Sequence, residues 1–201
     1  VKRKNAVLIL LILFLSVAIF SIDGRTSPTA ETIKESTGPV VVIDAGHGGE
    51  DPGKVSNYSS LAEKDLNLRI AQLLKNLLEQ DGYTVYMTRT EDKLNYSPGT
   101  KEIYQKRKQD LTARKQFIDQ SGADAVISIH MNSFSDTKYY GAQTFYPPSS
   151  TDSERLAKSI QNAMIAVCDN TNKRTALLKK ERIILFRDLK VPTALVECGF
   201  L

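Results

Sequence analysis

The chain has 201 residues, 41% hydrophobic and 25% charged, enough for one packed domain and incompatible with wholesale disorder. Lys and Arg number 27 against 23 Asp and Glu, and the net charge of +4 taken whole points to an anionic partner such as nucleic acid. Lys2, Arg3 and Lys4 supply three of those surplus charges, however, leaving 24 basic to 23 acidic residues from Asp23 onward, so the nucleic-acid reading loses its support.

The three basic residues precede Ala6 to Ile22, an apolar run broken only by Ser16 and Ser21. As a helix this run spans about 25 Å, close to the thickness of a bilayer core. Basic residues followed by an apolar stretch form the pattern of an export signal. Residues 1–22 are therefore expected to be a signal peptide or membrane anchor. The flank Asp23-Gly24-Arg25 has no clear small-x-small cleavage site, which favours an anchor with its basic end cytoplasmic. Residues 23–38 are polar, rich in Ser and Thr, and read as a tether to an exported domain.

Beyond the tether, strand and helix patterns alternate. Val40–Asp44 is a β-branched run expected to be a buried strand, and Glu63–Gln80 carries Leu66, Ile70, Leu73, Leu74, Leu77 and Leu78 at helical spacing. Tyr83–Met87 reads as a strand, Asp110–Gln120 as a helix and Asp124–His130 as another buried strand. Ala142–Tyr146 is a strand before Pro147-Pro148, Thr151–Cys168 a helix, and Ile183–Phe186 and Thr193–Cys198 the last two strands. This alternation implies an α/β fold: a mainly parallel twisted sheet of about six strands with helices on both faces. Such sheets carry their sites at the carboxyl ends of strands, where His47, His130 and Glu197 fall.

The two histidines invite metal chemistry. Imidazole is the commonest metal ligand, and catalytic zinc takes three protein ligands plus a water. A carboxylate completes the set, and Glu63 could swing back over the strand ends. Glu63 has a second reading, since Ser60-Leu61-Ala62-Glu63 has the spacing of a capping box. Glu197 lies in the apolar run Ala194-Leu195-Val196-Glu197-Cys198-Gly199-Phe200 and needs a partner, either a structural arginine or a proton to move as general base. Gly48 to Val55 nearly matches a phosphate-binding loop. Val55 stands where the magnesium-binding hydroxyl is required, Pro52 lacks an N–H, and Glu50 and Asp51 repel phosphate, so nucleotide chemistry is excluded. Cys168 and Cys198 fit no zinc or redox spacing. Lys173-Arg174, Lys179-Lys180, Tyr139, Tyr140, Phe145 and Tyr146 are either loop charges and core aromatics or a surface for an anionic or sugar-bearing polymer.

From Val40 to Leu201 the chain resembles the zinc-dependent N-acetylmuramoyl-L-alanine amidases of the amidase-3 group. The resemblance rests on VVVIDAGHGGEDPG, EKDLNL, TRTED, SIHMNS and LVECGF, in order and correctly interleaved with strands and helices. It implies that His47, Glu63 and His130 hold one zinc ion and that Glu197 is the catalytic glutamate. It implies cleavage of the amide between the lactyl group of N-acetylmuramic acid and L-alanine, with peptidoglycan as partner and no nucleic acid. The segments KQDLTARKQFI, GAQTFYPPSS and LAKSIQ are most similar to the germination-specific subgroup of spore formers, which implies a place in cortex maturation and an exported location, at the outer membrane face, in the wall or in the cortex space. An activating protein partner is a further expectation. Family members continue with Ser-Asn and a closing helix, so the domain, residues 39–201, is expected to lack its last helix. That expectation carries an alternative function: a membrane-tethered wall-binding protein that retains the site without turnover.

Overall fold

A computed structural model describes residues 38–201 except 137, 149 and 182. The expected anchor and all but the last residue of the tether lie outside the described residues. Among the described residues, no helix is long and apolar enough to cross a membrane.

The first strand, β1 (Val40–Ala45), is buried along its whole length. Its run of β-branched residues suits a strand covered on both faces. Helix α1 (Glu63–Gln80) leads to β2 (Thr84–Met87), and α2 (Ile103–Gln120) leads to β3 (Ala125–Asn132). β4 (Gln143–Tyr146), α3 (Thr151–Val167), β5 (Leu177–Leu178) and β6 (Thr193–Phe200) complete the domain. Ser150 caps α3 by accepting a hydrogen bond from the Ser153 N–H.

The strands form one six-stranded sheet in the order β2-β1-β3-β6-β4-β5. Every adjacent pair is parallel except β4 with β6. The sheet is thus mainly parallel, as the alternating pattern implies. Alternate residues feed two separate cores. Val41, Ile43, Ile127, Ile129 and Val196 pack against Leu74 and Leu78 of α1 and Ile160 and Met164 of α3. On the other face Val42, Val126 and Leu195 meet Ile118 of α2 with Leu185 and Phe186.

The same alternation places a polar row on the α2 face. Asp44 pairs in register with Ser128, His130 with Glu197, and Glu197 with Gln143. Residues opposite one another in a ladder share a face, so these residues line one face of the sheet, towards the carboxyl ends of β1, β3 and β6 and at the amino end of antiparallel β4.

Two expected elements differ. Ile183–Phe186 is not a strand: Ile184–Phe186 forms a turn of 3-10 helix whose Leu185 and Phe186 are buried against α2. The strand in that region is the exposed pair Leu177–Leu178, at the sheet edge. Helix α2 begins at Ile103, ahead of the expected Asp110: its first two turns, residues 103–109, bury no side chain, so no apolar period marks them.

Candidate metal centre

The chain leaves β1 through Gly46 and reaches His47 in a left-handed conformation, φ 63°, which residues other than glycine seldom adopt. Several groups hold it there. The Arg114 guanidinium donates to the carbonyl oxygens of Ala45 (2.7 Å) and His47 (2.8 Å). Arg89 donates to the carbonyls of Ala45 (2.8 Å), Gly46 (3.0 Å) and Lys64 (2.7 Å). Both arginines are buried, only 4% and 3% exposed, respectively, for Arg89 and Arg114. Burial together with the charge of Arg114 lowers Arg89 to about 10, still cationic at neutral pH.

Arg114 keeps its charge through carboxylates. Its Nη1 lies 3.0 Å from Asp44 Oδ1, and its Nε 2.8 Å from Asp110 Oδ2. Asp44 also accepts hydrogen bonds from Ser128 (2.7 Å) and Thr88 (2.6 Å). Burial pushes the Asp44 carboxyl up, but Arg114 and the two hydroxyls outweigh it and hold the group at about 2.

The capping box, the second reading of Glu63, does not form. Helix α1 starts at Glu63 itself, its N-cap is Ala62 with no side-chain cap, and Ser60 has φ 58°. Freed from capping, the Glu63 carboxylate turns to the strand ends. Its Oε1 lies 3.2 Å from His47 Nε2 and 3.0 Å from His130 Nδ1, and accepts from the Met131 N–H at 3.2 Å. Its Oε2 accepts from the Lys54 N–H at 2.9 Å. The ligand atoms of His47, Glu63 and His130 all lie within 4.8 Å of one another, close enough to hold a metal ion.

Glycine makes this convergence possible at two points. A Cβ on Gly46 would stand 2.3 Å from the His130 ring, and one on Gly53 would stand 2.5 Å from Glu63 Oε2 and 2.8 Å from His47. The glycine-rich loop therefore folds around histidine and carboxylate rather than around a phosphate.

Charge in the cluster favours a cation. Burial disfavours a charged His47 ring, yet Asp51 and Glu63 on its two sides raise its pKa to about 9. Burial likewise opposes ionisation of Glu63, and the two histidines overcome it, holding the carboxyl far below the usual range. Asp51 Oδ2 sits 2.9 Å from His47 Nδ1, which leaves Nε2 facing the cluster. Arg107 in turn donates to Asp51. A carboxylate behind the imidazole is the usual support of a metal-binding histidine.

Glu197 stands beside His130 on β6. No arginine pairs with it among the described residues, and its Oε2 is buried without a hydrogen-bond partner. Burial raises its pKa, partly offset by His130. The structural ion pair is thus absent, and a buried acceptor oxygen remains for a proton.

The remaining sequence candidates divide. Tyr139 and Tyr140 are exposed, whereas Phe145 and Tyr146 pack on the two cores. Lys173 and Arg174 precede β5 at the end of the sheet that bears Glu197, and Lys179 and Lys180 follow it at the opposite end. Cys168 and Cys198 are free, and burial pushes the Cys198 thiol up to about 12. Sequence patterns gave no role to Asp51, Arg89, Arg107 or Arg114. For Arg114 a signal existed: Asp110, Arg114 and Ile118 recur at intervals of four, a charged stripe on a buried helix face.

An α/β sheet with a His-Glu-His cluster over its strand ends, able to hold a metal ion, has a build suited to a hydrolase. Residues 41–201 match the family described as N-acetylmuramoyl-L-alanine amidase (Amidase_3), and the chain belongs to that family. Over 192 residues it is 33% identical to the germination-specific N-acetylmuramoyl-L-alanine amidase of Bacillus subtilis (strain 168), covering 96% of this chain and 78% of that protein. Its fold is similar to the CwlD amidase from Clostridioides difficile, solved in complex with the GerS lipoprotein. The TM-score is 0.77 and the identity 42%, over 81% of this chain and 82% of that one. An N-acetylmuramoyl-L-alanine amidase from Clostridium difficile 630 is similar at TM-score 0.68 and 32% identity, over 82% and 81% of the two chains.

Proposed function

We propose that the chain is a zinc-dependent amidase that releases stem peptides from peptidoglycan by cleaving the amide between the lactyl group of N-acetylmuramic acid and L-alanine. The observation that carries this reading is the approach of His47, Glu63 and His130 within 4.8 Å, beside the buried, unpartnered Oε2 of Glu197. Two imidazoles and a carboxylate are a donor set suited to zinc, and glycine at positions 46 and 53 lets the backbone come close to His130, Glu63 and His47 where a Cβ would clash.

When bound, zinc supplies Lewis acidity, polarising a carbonyl and making water a nucleophile near neutral pH. The protein does the rest. His47, oriented by Asp51, with Glu63 and His130 fixes where the lactyl carbonyl must sit. Glu197 takes the proton of the attacking water at a carboxylate oxygen. It then returns that proton to the departing amine of L-alanine, which its raised pKa allows. The products are a lactyl carboxyl group and a stem peptide with a new amino terminus.

The similarity to a germination-specific amidase supports work on spore cortex, and the basic-apolar N-terminal segment supports export and a membrane tether. The lipoprotein bound to the similar CwlD amidase supports an accessory protein as partner. The test is to incubate the protein with purified muropeptides, with and without a chelator, and read products by mass spectrometry. New L-alanine amino termini that vanish with chelator and return with zinc are expected. Adsorption to peptidoglycan with no released termini would instead establish the wall-binding alternative.

Gly53→Ala tests the cradle. Its φ of 65° and the close approach of Glu63 oppose a Cβ, so stability should fall by about 1–3 kcal/mol and zinc affinity with it. Unchanged melting and zinc titration curves would refute the cradle.

A further inference from the structure

We infer that Arg174 is a specificity-determining residue, whose guanidinium takes a carboxylate carried by the second residue of the stem peptide. This rests on the amidase reading above and adds a subsite to it.

Arg174 lies at the end of the polar row that contains the site. Across the sheet the row runs His130, Glu197, Gln143, each in register with the next. Arg174 Nη1 donates to Gln143 Oε1, and its guanidinium lies 4.8 Å over the ring of Phe200, three residues past Glu197 on β6. Adjacent strands are about 4.8 Å apart, so Gln143 is about 10 Å from His130. An extended peptide advances about 3.3–3.6 Å per residue, so groups on the second residue past the cleaved amide fall at that range.

The guanidinium is held in place before any ligand arrives. Its Nε donates to the Tyr140 carbonyl at 2.7 Å, and Tyr139 covers it at 6.0 Å on the way to Phe134. Buried Asn172 fixes the backbone beneath, accepting from the Arg174 N–H at 3.0 Å and donating to the Ala142 carbonyl at 2.8 Å. Gly141 allows this approach, since a Cβ there would stand 2.6 Å from Asn172.

This ordered cation has no acidic partner among the described residues, and its Nη2 makes no hydrogen bond there. An arginine confined between aromatic rings with one donor edge free suits a planar carboxylate. The stem peptide offers one at its second residue when that residue is a glutamate joined onward through its side chain, which leaves the α-carboxylate free.

The test uses zinc-loaded protein and two muramoyl tripeptides that differ only at that position, one with the free α-carboxylate and one with a carboxamide. The wild type should prefer the acid by about tenfold to a hundredfold in kcat/KM, chiefly through KM, as expected of a charge-assisted hydrogen bond. Arg174→Gln should bring that ratio towards one, and Arg174→Lys should keep part of it. Equal wild-type rates on the two peptides overturn the inference. So does a wild-type ratio preserved in Arg174→Gln, which is what a merely structural role gives. A wild type that cleaves neither peptide overturns the amidase reading itself, and the subsite with it.

Discussion

Glu197→Gln should lower kcat by about 10²–10⁴-fold while the protein still binds one zinc ion per chain, because the carboxamide keeps the shape of the side chain but cannot accept the proton. The site geometry sets this separation. Glu197 is beside the His47–Glu63–His130 cluster and not in it, and its buried Oε2 has no other partner to lose. His130→Ala is the contrasting variant, since it removes a ligand and should lose metal and turnover together. Metal content by atomic spectroscopy and amine release from muropeptides decide the matter. A Glu197→Gln protein that turns over at the wild-type rate removes Glu197 from the chemistry.

Arg114→Met should be the most damaging change to stability, at about 3–5 kcal/mol, the usual cost of leaving a buried charge without its partner. Asp44 would be that charge, and the carbonyls of Ala45 and His47 would lose their donors as well. The sign of the pH dependence follows from Asp44. In the wild type its folded pKa is depressed to about 2, so its contribution is present above the ordinary value of 3.8 and fades as pH falls towards 2. Without Arg114, burial dominates and the folded pKa rises, so the ionised carboxylate becomes a burden at neutral pH. The difference between variant and wild type should therefore be largest near neutrality and shrink in acid. Urea unfolding at several pH values measures it, and a loss that is small or independent of pH contradicts this account.

Sheet and helices were legible because apolar residues recur at 2 or 3.6 along most of the chain. Val40–Ala45 and Glu63–Gln80 are plain examples. The pattern misled where tertiary packing overrode it. Ile183–Phe186 is apolar enough for a strand, but Leu185 and Phe186 are needed against α2, and the chain turns to deliver them. The start of α2 was hidden because residues 103–109 bury no side chain and carry no apolar stripe. His47 and His130 stood out as candidate ligands because they fall at the ends of predicted strands. Glu63 was ambiguous, since the spacing Ser60 to Glu63 is that of a cap. The resemblance favours the ligand reading, and in the structure Ser60 has a positive φ and the helix starts at Glu63, so no cap forms there. Arg89, Arg107 and Asp51 gave no signal because their work is to hold backbone and side chains that are distant in sequence.

Helix α2 reaches the His47 loop at two levels, through Arg107 on Asp51 and through Arg114 on the His47 carbonyl, while Arg89 holds the two residues before it. The loop that carries His47 is thus braced by hydrogen bonds from α2 and from Arg89. In small zinc modules the free energy of metal binding is the free energy of folding, and chelation unfolds them. Bracing of this kind predicts that the two quantities are separable here, so a chelator should stop turnover and leave the domain folded. On the proposed zinc reading, metal supply would then set how many molecules are active without setting how many survive.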